Sequence, residues 1–139
     1  EVRHNLWYTD SNTEAGLNRR RMLYVIGKML DFEYALRGVA NATQKKTNAV
    51  QMAKRAKRAL AYLKHLDKTL EVAELDAIIK VGSGVKLKLN NKAHLLTAAD
   101  AVAKSALTFS VKYDGTTLAG VDVNLPAAEK YRGKVFEHN

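Results

Sequence analysis

The chain contains no cysteine. Disulfide staples, thiolate-ligated zinc and thiol catalysis are therefore excluded, although this absence does not fix a compartment. Long apolar runs are also missing. The richest stretch, Met22 to Leu36, is interrupted by Lys28, Asp31 and Glu33, and nothing approaches the roughly 20 apolar residues that span a bilayer. No membrane partner is expected, and no secretory leader pattern is visible.

Catalytic and cofactor patterns are absent as well. There is no GxxxxGK[ST], GxGxxG or GxSxG, and Gly82-Ser83-Gly84 is too short, and in the wrong order, for a nucleotide loop. The four histidines, His4, His65, His94 and His138, are not spaced as metal ligands. Glu71, Glu74 and Asp76 cluster, but carboxylates in a first helical turn are sufficiently explained by the helix dipole. The expectation is a non-enzymatic protein with no cofactor and no metal. RNA-binding signatures of the paired-aromatic and GXXG kinds are missing too.

The most informative absence is local. From Tyr34 to Leu66 there is no Asp or Glu, while Arg37, Lys45, Lys46, Lys54, Arg55, Lys57, Arg58 and Lys64 are all positive. The net charge of +9 is equally lopsided. Residues 1–70 hold 14 Lys and Arg against 6 Asp and Glu, net +8; residues 71–139 hold 9 against 8, net +1. Such asymmetry points to a polyanionic partner.

What is present organises around Asn41 to Leu66, which reads as a long helix. Ala49, Ala53, Ala56, Leu60 and Leu63 recur at spacings of four and three, with Ala59 and Leu66 beside them, and form an apolar seam of small residues suited to close packing. Lys54, Lys57, Arg58, Lys64, His65 and Lys68 fall on the other side. Their like charges repel at a cost of a few tenths of a kcal/mol per neighbouring pair, and an anion would relieve it. Asn41 to Gln44 fits a capping box. Asp67 or Thr69 is read as the cap of a new, shorter helix, the alternative being one continuous helix with Asp67 partnered.

Before it, Ser11 to Glu14 fits another capping box, opening a helix to about Arg37 with Gly38 at the C′ position. Its core face is Met22, Val25, Met29, Phe32, Leu36 and Val39, widened by Leu23, Ile26 and Leu30, so it is expected to be touched on two sides. Arg19, Arg20 and Arg21 span about 200° of its first turns and cannot share one face; one or two could extend the basic surface. Trp7, within Leu6 to Tyr8, could stack on a base, but packing across the helices is the simpler role.

After it, Leu70 to Lys80 reads as a short helix broken by Gly82 to Gly84. Val85, Leu87 and Leu89 alternate with Lys86 and Lys88, predicting a strand. Thr97 to Ala106 predicts a short helix. Leu107, Phe109, Val111 and Tyr113 alternate again, Asp114-Gly115 suits a two-residue hairpin turn, and a return strand runs from Thr116 to about Val123. A last short helix begins at Asn124-Leu125-Pro126. The expected fold class is α+β: an N-terminal antiparallel hairpin of two long helices, then short helices and a small antiparallel sheet. A single domain covers 1–139, with 1–81 and 82–139 as the only natural subdivision.

The function expected from these features is that of a small basic component of a larger nucleoprotein assembly, ribosome-associated or virion in type. It would bind RNA or DNA phosphates without sequence specificity through Lys54, Lys57, Arg58, Lys64 and Lys68, aided by Arg19 and Arg20, with protein neighbours elsewhere. The competing expectation is a structural module whose apolar helical surface packs against other subunits without nucleic acid.

Overall fold

A computed structural model of the chain describes residues 15–127. Four helices make up nearly all of it: α1 (Leu17–Ala40), α2 (Thr47–Leu70), α3 (Ala73–Gly84) and α4 (Lys92–Lys112), followed by a 3-10 turn, Ala119–Asn124. There is no strand among the described residues. The α+β expectation is thus corrected to a helical bundle. α1 packs against α2 and α4, and α3 against α2 and α4. Short connections make successive helices antiparallel.

The helical hairpin at the front is as expected, with shifted ends. Val25, Met29, Phe32, Leu36 and Val39 of α1 are buried, and both flanks of this stripe are covered, one by α2 and one by α4. Gly38 does not end the helix. α1 continues to Ala40, and a Cβ at Gly38 would meet the Met52 side chain at 2.8 Å; the glycine lets α2 approach. α2 starts at Thr47 with no side-chain cap, so Asn41 to Gln44 belong to the connection. It continues through Asp67 to Leu70, and Glu71 closes it in the left-handed conformation at φ 49°. No new helix is capped at Asp67 or Thr69.

The C-terminal half departs most from the alternating pattern. Gly82 lies inside α3, where a Cβ would strike Phe32 and Leu60, so it serves close packing and does not break the helix. Residues 85–91 are an irregular connection, with Val85, Leu87 and Leu89 half-buried. α4 is continuous because Leu95, Ala99, Val102, Ala106 and Phe109 recur at four and three and are all buried. Leu107 and Val111, which a strand would place beside Phe109, are 66% and 81% exposed. The period of 3.6 wins because it covers more apolar surface than the period of two.

Asp114 and Gly115 do turn the chain. Asp114 Oδ1 accepts from the Thr116 amide at 2.9 Å and its hydroxyl at 2.7 Å, and Gly115 sits at φ +93° against the Asn18 backbone. The segment that follows is no return strand. It caps the end of the bundle with Leu118 and Val121, both buried. Residues Leu125 to Ala127 are not helical. The expectations for Ser11 to Glu14, for Trp7 and for a helix beyond Ala127 lie outside the described residues.

The segments before and after Gly82 to Gly84 share one apolar core. Ion pairs fix the helices at its margins. Arg37 joins α1 to α4 through Asp100 at 2.8 Å while also holding Glu33, and Lys112 of α4 reaches Glu74 of α3 at 3.1 Å. Burial raises the proton affinity of Glu74, but the bond from Lys112 and a backbone N–H outweigh it and hold the carboxyl below its ordinary range.

Candidate nucleic-acid interface

α2 is amphipathic in the plain sense. Ala56, Ala59, Leu63 and Leu66 are buried. Ala49, Ala53 and Leu60, expected at the seam, are only half-buried, so the packed stripe is rotated slightly from the one the spacing suggests. Lys54, Lys57, Arg58, Lys64, His65 and Lys68 are all exposed. At 100° per residue these six occupy one arc of about 120°, centred opposite the buried stripe.

Not every cation of the helix belongs to that face. Arg55 turns toward α1, where its Nε donates to Asp31 at 2.6 Å. On the same flank Lys28 of α1 sits over two rings, 5.3 Å from the Tyr24 centroid and 4.5 Å from that of Tyr62, a cation–π arrangement. The two phenols are hydrogen-bonded to each other. Burial, and then the bond with Tyr62, pushes the Tyr24 hydroxyl well above its ordinary pKa. The α1-side flank is thus satisfied within the protein.

The outward arc differs. Among the described residues, Lys54, Lys57, Arg58, Lys64 and Lys68 form no ion pair with a carboxylate. Lys54 with Arg58, and Lys64 with Lys68, stand four residues apart with like charge. From Lys54 to Lys68 the row extends about 21 Å along the axis, a length over which duplex DNA carries roughly twelve phosphates.

Arg19 and Arg20 belong to a different helix from this row. They stand on the first turn of α1, Arg19 exposed and Arg20 half-buried. Arg20 lies close enough to Asp122 to help Arg21 hold that carboxyl low. Arg21, the third of the run, is structural. It is 9% exposed and grips Asp122, Asn18 and the Gly115 carbonyl.

Lys45 and Lys88, which the sequence does not place with the α2 row, lie beside it. With Lys54 and Lys57 they rim a groove of about 570 Å³ between the start of α2 and the 85–91 connection. The alternation of Leu87, Lys88 and Leu89, which predicts a strand, instead places Lys88 on an irregular connection.

Neither histidine in view suggests a ligand set. His65 is exposed and makes an edge contact with Tyr62 at 6.4 Å, and His94 bonds to Asn91 at 2.9 Å. No group of three or more His, Asp or Glu could hold a metal among the described residues. Asp76 faces Asp67, and Glu74 is engaged by Lys112. No described helix is long and apolar enough to cross a membrane. No family model, curated protein or solved structure matches the chain.

Proposed function

We propose that this chain is a non-enzymatic, nucleic-acid-binding component of a larger nucleoprotein assembly, of ribosome-associated or virion type. Lys54, Lys57, Arg58, Lys64 and Lys68 meet phosphates along the exposed side of α2. The single observation that carries the reading is that these five cations share one exposed face and that, among the described residues, no carboxylate is bonded to any of them. Repulsion along the face is relieved when a polyanion replaces salt counterions. The face offers charge and little hydrogen-bonding variety, so binding tolerates sequence and is led by phosphate contacts.

A purely structural module is the competing reading, and it would rest on the broad apolar stripe of α1. That stripe packs against α2 and α4 within the chain, which supports the phosphate-binding reading over it. Titration of generic RNA and DNA across a salt series tests the proposal. Five phosphate contacts give a slope of log K on log salt near −4.5 for duplex and near −3.5 for a single strand, each about −0.9 or −0.7 per contact. A flat response, or no binding near 0.1 M salt, overturns it.

A further inference from the structure

We propose that the groove beside the basic face binds an aliphatic amphiphile with an anionic head group, of the long-chain carboxylate class. The groove lies at the end of the bundle where α1 turns into α2. Its volume, about 570 Å³, falls within the roughly 300–1,000 Å³ of small-molecule sites.

Its floor is aliphatic throughout: Val39, Ala49, Val50, Ala53, Leu87 and Leu89. Alanine at 49 and 53 leaves the space that larger side chains would fill, which is why the helix seam is only half-covered there. The rim consists of Lys45, Lys54, Lys57 and Lys88, drawn from three separate segments of the chain, and among the described residues no Asp or Glu lines the groove. Lysine stems can lie along the apolar wall while their ammonium groups stay at the mouth.

The lining selects among anions. A nucleobase would find no aromatic ring to stack on and no amide or hydroxyl side chain for its polar edges, which would be buried unpaired. An acyl chain needs neither, and each methylene withdrawn from water adds to its affinity. Its carboxylate would meet the four lysines. The groove shares Lys54 and Lys57 with the phosphate-binding face, whereas Lys64 and Lys68 lie outside it, so the two proposals are separable by mutation.

The test is calorimetric titration of the intact chain with dodecanoate below its micelle concentration, with dodecanol, acetate and a generic RNA as parallel arms. The expected result is saturable binding of one dodecanoate per chain, with dodecanol and acetate at least tenfold weaker. Lys54→Gln with Lys57→Gln, both at exposed positions, weakens dodecanoate about tenfold. Lys64→Gln with Lys68→Gln leaves it unchanged and weakens RNA. Ala49→Phe, checked for helicity by circular dichroism, blocks dodecanoate and spares RNA.

Absence of saturation, equal binding of dodecanol, or equal losses in the two lysine pairs overturns the inference. Displacement of dodecanoate by an acidic apolar peptide at lower concentration overturns it in favour of a protein occupant. Loss of the RNA arm alone removes the phosphate-binding reading and leaves the groove standing.

Discussion

Arg21 holds Asp122 by two parallel bonds, Nε to Oδ1 at 2.7 Å and Nη2 to Oδ2 at 2.6 Å. The pair ties the first turns of α1 to the 3-10 turn, 101 residues later. The same guanidinium donates to the Gly115 carbonyl at 3.2 Å, so one side chain fixes both the turn after α4 and the segment beyond it. Arg21→Ala should lower Tm by on the order of 5 °C, because it leaves the carboxylate and the carbonyl without their donor and the fork geometry has no substitute. The bond from Arg21 holds the Asp122 carboxyl below its ordinary value of 3.8, against desolvation. A carboxyl depressed in the folded state stabilises above its unfolded pKa, and that contribution is lost as pH falls through the folded one. Thermal melts of the wild type and Arg21→Ala should therefore differ most above pH 4, and the gap should narrow as pH falls through the depressed value, leaving the part that comes from the Gly115 carbonyl.

The period of α4 is open to a direct check. Phe109 is fully buried and stacks on Tyr113 at 4.8 Å, whereas Val111 is 81% exposed. Phe109→Ala should cost about 3–5 kcal/mol in denaturant unfolding, and Val111→Ala less than about 0.5 kcal/mol. Comparable losses at the two positions would mean that they share a buried face, as they would on a strand.

Asp67 is held against its own charge. Burial, then the facing Asp76 carboxyl and Glu71, raises its pKa above the ordinary value, and one of its oxygens is buried with no partner among the described residues. For a carboxyl raised in the folded state the cost is present at neutral pH and fades as pH falls through the raised value. Asp67→Asn should therefore raise Tm by about 2–3 °C at pH 7, with the gain shrinking in acid. A loss of stability at pH 7 would show that the carboxylate contributes to the fold.

On the basic face, binding and stability should come apart. Arg58→Gln with Lys64→Gln and Lys68→Gln should reduce the magnitude of the salt slope by about 2–3, at roughly 0.7–0.9 per lost phosphate contact, and leave Tm nearly unchanged. Arg55→Gln should do the opposite. It loses the tie to Asp31, a half-exposed pair worth at most about 1 kcal/mol, and leaves the slope alone. Filter binding over a salt series, run beside thermal melts, checks both.

The front of the bundle was legible because its evidence is local. The stripe Val25, Met29, Phe32, Leu36 repeats often enough to decide the period, and the acid-free arc of α2 can be read from the wheel. The back was not legible for reasons that are tertiary. Gly38 and Gly82 look like breaks, but each is a place where another helix comes close. Leu107, Phe109, Val111 and Tyr113 fit an alternation over seven residues, and only the longer run from Leu95 shows that a helical period accounts for more. Lys45 and Lys88 could not be grouped with Lys54 from the sequence, because the groove forms only when the 85–91 connection folds onto α2.

The order of the helices has a consequence for synthesis. α1 is made first, yet α4, the last long helix of the bundle, is one of its two main packing partners. Between them lie some fifty residues, and at about 5–20 residues per second a translating ribosome needs several seconds to deliver the missing cover. During that interval the apolar stripe of α1 is only partly covered, open to chaperones and to neighbouring copies on the same messenger.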